Sequence, residues 1–99
     1  MKPNKKEKWD NAKTKELLAA ILSLKNLTEA KNFFRDLLTE SELVEFGNRW
    51  KAVRMLAQKF SYRKIGETTG LSSTTVARVA RWLKKGRGGY GAMLGRAKK

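Results

Sequence analysis

The stretch SYRKIGETTGLSSTTVARVARWL, residues 61–83, constrains the fold more than any other part of the chain. Apolar residues recur three or four apart on both sides of Gly70, so the pattern is helical twice over. A single helix would have to run through a glycine set among hydroxyl residues, which is costly at every such position. The spacing therefore predicts two short helices joined by a tight turn. Ser61 caps the first, which carries Ile65 and a small Gly66 that lets a second helix cross close against it. Gly70 supplies the positive φ that the turn needs, and Leu71 plugs the core beneath it. Ser72 caps the second helix, where Val76, Val79 and Leu83 face inward while Thr74, Thr75, Arg78 and Arg81 face outward. The arrangement is a helix-turn-helix. One position departs from the usual pattern: Thr69 stands where such motifs prefer a larger apolar side chain.

The rest of the chain reads as helix as well. From Trp9 to Leu24, Leu17, Leu18, Ile21, Leu22 and Leu24 fall at helical spacings spread over more than one face. A second helix is expected over residues 28–38, with Ala30, Phe33, Phe34, Leu37 and Leu38 as a wide stripe. The third begins at a capping box, Thr39 with Glu42 three residues on. Behind it Leu43, Phe46, Trp50, Val53, Ala57 and Phe60 recur every three or four residues, to about Lys59. No stretch alternates as a strand would. The expected fold class is all-α, a helical bundle within one domain over residues 9–99, preceded by a disordered basic arm over residues 1–8. Residues 84–99, KKGRGGYGAMLGRAKK, read as a Gly-rich basic tail. A flexible linker plus a short terminal helix, with Tyr90, Met93 and Leu94 docked as a last helical turn, competes there with a phosphate- or RNA-contacting segment; docking is the preferred reading. Three successive helices with wide apolar faces have more surface to bury than one small core offers, so a homodimer is expected. A monomeric bundle is the alternative.

Charge narrows the function. Of 99 residues, 23 are Lys or Arg and 9 are Asp or Glu, a net charge of +14. Residues 61–99 hold ten basic side chains and one acidic, so +9 of that excess lies where the motif lies. Such a field draws a polyanion. With no Cys and no His, the chain lacks disulfides, zinc sites built from those ligands, thiol nucleophiles and imidazole bases. Acidic groups such as Glu42, Glu45 and Glu67 have no catalytic companions, so neither an enzyme nor a metal site is expected. The longest apolar run, LLAAIL, is too short to span a bilayer, and a cytoplasmic protein without membrane partners is expected. On the second helix of the motif, Ser72, Ser73, Thr74 and Thr75 offer short hydroxyl groups to phosphates and base edges, Arg78 reaches a guanine edge, and Arg81 lies one turn on. On the preceding helix Arg63 and Lys64 suit guanine or phosphate. Double-stranded DNA is the expected partner. A helix-turn-helix that merely packs helices, with Thr74 and Thr75 serving only as helix-start residues, is the alternative for the motif. A non-specific basic nucleic-acid-binding protein is the alternative for the chain.

The order of features from residue 37 to residue 83, LLTESELVEFGNRWKAVRMLAQKFSYRKIGETTGLSSTTVARVARWL, resembles the Trp repressor family, in its Trp-repressor-like branch of small bacterial regulators. The specific elements are LLT with an acid three residues after Thr39, FGNR, Ser61-x-Arg63, and the Gly70 turn followed by Thr74-x-x-x-Arg78. The resemblance implies an intertwined, all-helical homodimer whose two helix-turn-helix units read adjacent major grooves of a near-palindromic operator, acting as a repressor. In the tryptophan-responsive member the corepressor lies between the helix before the motif and the recognition helix. Thr39, Arg49 and Arg78 match its pocket positions. Val79 stands where that pocket has Gly and Trp82 where it has Ser, an overpacking worth about 1–3 kcal/mol. The expectation is therefore that no tryptophan binds, that no cofactor is needed, and that a small-molecule ligand is absent.

Overall fold

The computed structural model describes residues 7–97, so the expected arm lies outside the described residues except at Glu7 and Lys8, which enter a turn closed by the Asp10 N–H donating to Glu7 O at 3.0 Å. Among the described residues there are six α-helices and no strand: α1 Ala12–Leu22, α2 Leu27–Leu37, α3 Glu40–Ala57, α4 Tyr62–Thr69, α5 Ser73–Lys85 and α6 Gly89–Ala97. The fold is all-α. It forms two compact units, one ending at Thr39 and one beginning at Glu40.

In the N-terminal unit two asparagines set the helix starts. Asn11 accepts a hydrogen bond from the Thr14 N–H at 2.9 Å, so α1 begins at Ala12 and not at Trp9. Asn26 accepts from the Glu29 N–H at 2.8 Å, and the Glu29 carboxylate reaches back to the Lys25 N–H at 3.0 Å. The pair satisfies donors that a helix start leaves without partners, and it moves the start of α2 to Leu27. Phe33 and Phe34 meet edge to face, with centroids 5.5 Å apart. Neither α1 nor α2 contains a buried residue.

The second unit holds the core. Ala52, Val53, Met55, Ile65, Leu71, Val76 and Val79 form one buried cluster, with Trp50, Leu56, Leu83, Tyr90 and Leu94 packed against it. Of the stripe read on α3, Val53 is buried and Trp50 half-buried, while Phe46, Ala57 and Phe60 are exposed. The cover falls on the second half of α3 because α4 and α5 pack there, each also against the other, and α6 packs on α5. Helix α3 ends at Ala57, two residues earlier than expected. The Lys59 N–H donates to Leu56 O and the Phe60 N–H to Met55 O, both at 3.0 Å, with Lys59 in the left-handed region at φ 71°. Those two bonds are the C-terminal closure that glycine usually supplies.

The motif forms as two helices and a turn. Ser61 accepts from the Lys64 N–H at 3.0 Å and Ser72 from the Thr75 N–H at 3.1 Å. Gly70 sits at φ 78° and donates to Gly66 O at 2.8 Å. A Cβ on Gly66 would stand 3.3 Å from Leu71 O, so its small size serves the turn backbone rather than a crossing helix. Thr69, the apparent misfit, is buried and bonded on both sides: its hydroxyl donates to Ile65 O at 2.8 Å and accepts from the Leu71 N–H at 3.2 Å. An apolar side chain there could do neither. In the final segment residues 84 and 85 complete α5 instead of starting a linker, and the expected short terminal helix is α6, nine residues long.

Candidate nucleic-acid interface and the adjoining groove

Helix α5 has two distinct sides. Val76, Val79 and Ala80 are buried and Leu83 is half-buried, while Ser73, Thr74, Ala77, Arg78, Arg81, Lys84 and Lys85 are exposed. The polar stripe so presented carries hydroxyl groups at the N-terminal end and four cations behind them. A helix start also points N–H groups outward that have no partner within the helix, and such groups attract phosphate. On α4, Arg63 and Lys64 lie exposed in the first turn, so the starts of α4 and α5 both carry basic or hydroxyl groups. The Arg63 guanidinium Nε donates to a Glu67 carboxylate oxygen at 3.3 Å. With both side chains more than half exposed, that ion pair is worth little and leaves Arg63 exchangeable toward a phosphate.

Thr75 differs from the reading of the sequence. It is half-buried, its hydroxyl accepts a bond from the Ser72 hydroxyl at 3.0 Å, and it turns toward a groove between α3, α5 and α6 instead of joining the outward stripe. Ser72 likewise serves the helix cap. Of the eight residues read as DNA-contacting, Arg63, Lys64, Ser73, Thr74, Arg78 and Arg81 are thus exposed without a capping duty.

The groove has a volume of about 640 Å³. It brings together Arg49, Arg78, Val79 and Trp82, four of the five positions matched to the corepressor pocket; the fifth, Thr39, ends the other compact unit. Val79 is buried in the core, whereas Trp82 is 53% exposed and forms a wall. The added bulk therefore reshapes the space while leaving it open. Arg49 donates from Nε to Glu45 at 3.3 Å and lies 5.9 Å from the centre of the Phe46 ring. Sequence reading did not assign Trp50, Arg87 or the lining role of Tyr90 and Met93. The signal was available in the spacing of Arg87, Tyr90 and Met93, every third residue, which lines one side of a helix and the approach to it. The rings of Trp50 and Tyr90 lie 6.5 Å apart and tie α6 to α3. A smaller cleft, lined by Tyr62, Ala77, Ala80, Arg81, Lys84 and Lys85, borders the exposed stripe of α5.

Among the described residues no three acidic side chains gather as metal ligands, and no helix is long and apolar enough to cross a membrane. Comparison with known proteins agrees with the geometry. YerC, an uncharacterized protein of Bacillus subtilis (strain 168), is 41% identical over 83 residues, covering 84% of this chain and 80% of YerC. Among solved structures, a TrpR-like protein from Eubacterium eligens ATCC 27750 superposes with a TM-score of 0.87 at 37% identity, covering 92% of this chain and 94% of that one. A proposed Trp repressor from Staphylococcus aureus gives 0.85 at 35%, covering 92% and 91%. Residues 12–98 match the family model of the Trp repressor protein. Together with the helix-turn-helix and its basic face, that match over nearly the whole chain places the protein in the Trp repressor family, whose members are DNA-binding transcriptional regulators and not enzymes.

Proposed function

We propose that this protein is a sequence-specific regulator of transcription, a repressor, that binds a near-palindromic operator in double-stranded DNA as a symmetric homodimer. The observation that carries the reading is the exposed stripe of α5, with Thr74 and Arg78 on the side opposite the buried Val76 and Val79. A helix held that way by its core face can present its N-terminal turns to a major groove, where Arg78 reads a guanine edge and Arg63 and Lys64 hold the backbone. The dimer has separate support. Leu22 is 86% exposed, Leu27 74% and Val44 58%, a degree of apolar exposure on consecutive helices that a second copy would cover. Two recognition helices would then lie about 34 Å apart, one turn of DNA.

Tryptophan is not the corepressor in this reading. Val79 removes the close backbone approach that glycine allows, and no acidic residue lines the groove to receive an ammonium group. The protein acts in the cytoplasm, on the nucleoid. The test is selection from a random duplex library at near-physiological salt, with excess competitor DNA and no added ligand. Recovery of one palindromic sequence supports the proposal. Recovery of no sequence, together with tight binding to every duplex, would replace it with a non-specific basic nucleic-acid-binding protein.

A further inference from the structure

Ala77 is exposed in the middle of the polar stripe of α5, between Thr74 and Arg81, yet it carries neither a hydroxyl nor a charge. With Ala80 it lines the smaller cleft, whose other walls are Tyr62, Arg81, Lys84 and Lys85. We infer that this cleft seats the C5-methyl group of a thymine, so that each half-site places a thymine met by Ala77 beside a guanine met by Arg78, and that the adenine edge goes unread. The inference rests on the reading of α5 as the recognition helix.

The side chains that α5 lacks narrow what it can read. Its sequence, STTVARVARWLKK, contains no Asn, Gln, Asp or Glu. Paired hydrogen bonds to adenine N6 and N7 call for a carboxamide, and the cytosine amino group calls for an acceptor such as a carboxylate. The one acid of α4, Glu67, accepts from Arg63 at 3.3 Å. A carboxylate released from that pair would be repelled by the phosphates to which Arg63 had turned. Hydroxyl groups such as those of Ser73 and Thr74 donate or accept, so they suit several bases and separate none sharply. Two discriminating contacts remain: a guanidinium on guanine O6 and N7, and an apolar group on the thymine methyl.

The geometry brings those two contacts together. Successive helical residues differ by about 1.5 Å of rise and 100° of rotation, less than the 3.4 Å between base pairs. A G·C pair has no methyl group, so the pair under Ala77 differs from the pair under Arg78 and adjoins it. The short side chains of Ala77 and Ala80 leave a space of about 260 Å³. That exceeds one methyl group and admits the backbone beside the thymine as well, where Arg81, Lys84 and Lys85 supply positive charge. The Tyr62 ring, 48% exposed, gives the methyl an apolar wall.

The experiment takes the duplex recovered from the library selection and changes single bases in it. Deoxyuridine for thymine removes a methyl and no hydrogen bond, and beside the guanine it should weaken binding about threefold or more per half-site. Replacing the adenine of that pair by 7-deazaadenine should change affinity by less than about twofold, whereas 7-deazaguanine at the neighbouring pair should weaken binding about fivefold or more. Because Ala77 is exposed, Ala77→Gln should fold, as circular dichroism will verify. It fills the cleft and brings a carboxamide, so deoxyuridine should become harmless and 7-deazaadenine should now cost about fivefold or more. If that variant does not fold, the base replacements with the parent protein decide alone. A selected site without thymine beside the guanine, indifference of the parent to deoxyuridine, a loss of about fivefold with 7-deazaadenine, or an undiminished deoxyuridine penalty in folded Ala77→Gln would each overturn the inference and leave the DNA reading intact. A library that yields no sequence would overturn both.

Discussion

Replacing Thr69 with valine tests whether the turn is held by a hydroxyl or by bulk. The two side chains have nearly the same shape and both branch at Cβ, so the change is chiefly a methyl for a hydroxyl. The hydroxyl donates to Ile65 O at 2.8 Å and accepts from the Leu71 N–H at 3.2 Å. The Ile65 carbonyl lies inside α4 and keeps its place in the helical ladder. The Leu71 N–H, in a buried turn residue, loses its acceptor, which costs about 1–3 kcal/mol. The added methyl returns about 0.8 kcal/mol of apolar burial. The net expectation for Thr69→Val is a loss of about 0.5–2 kcal/mol, and for Thr69→Ala, which removes methyl and hydroxyl together, about 2–3 kcal/mol. For a chain this short, each 1 kcal/mol moves Tm by about 4–8 °C. Thermal and urea unfolding at one fixed chain concentration will read the change, since an assembling protein melts at a temperature that depends on concentration. Hydrogen exchange at Leu71 should quicken first. A Thr69→Val protein as stable as the parent would refute the reasoning, and would mean that the apolar preference of such motifs holds here too.

Other outcomes follow from the same geometry. Arg78→Ala should cost about 1–3 kcal/mol of operator binding and relax the preference at one base pair per half-site, read by repeating the library selection; a uniform loss over all sequences would make it a backbone contact. Arg63→Ala should weaken all duplexes alike and lower the slope of log affinity against log salt by about 0.9 for each phosphate that Arg63 neutralises. Lys59→Gly should stabilise the protein by about 0.5–1 kcal/mol, because the left-handed φ of 71° strains any residue with a Cβ, and urea unfolding will detect it. Gly86→Ala should fray the end of α5, where a Cβ would strike the Trp82 carbonyl and ring, and shift tryptophan fluorescence as the indole moves into water.

The turn was legible because each of its residues has a narrow job. Gly70 needs its positive φ, Ser61 and Ser72 need their caps, and Ile65, Val76 and Val79 repeat at the helical period. The helix start at Asn11 was missed because Trp9 extended the apolar pattern past the true cap, whereas α2 begins at Leu27, one residue before the expected start. Helix α6 carries Gly89, Gly91 and Gly95, a composition that local propensity rejects; Tyr90 and Leu94, docked on the core, override it. Thr75 shows what helical phase decides. It follows Thr74 by one residue, about 100° around the axis, and that step takes it from the open stripe toward the groove. In the groove, the sequence revealed how much volume Val79 and Trp82 add but not where the indole would lie. Periodicity on α3 likewise identified apolar positions without showing which of them find cover, and Phe46 remains 47% exposed.

Every buried residue among those described falls between positions 52 and 80. Translation runs the other way. Leu18, Leu22, Leu27 and Leu37 leave the ribosome before any part of that core exists, and at roughly 5–20 residues per second several seconds pass before Ile65 and Val76 follow. For that interval the chain displays apolar helices with nothing of its own to shield them. Neighbouring ribosomes on one message hold identical segments close together, so in the proposed dimer the pairing surface would also be the first to emerge. Were the chain to pair as proposed, birth order would favour siblings from one transcript, and the dimer would form before its DNA-reading half is complete.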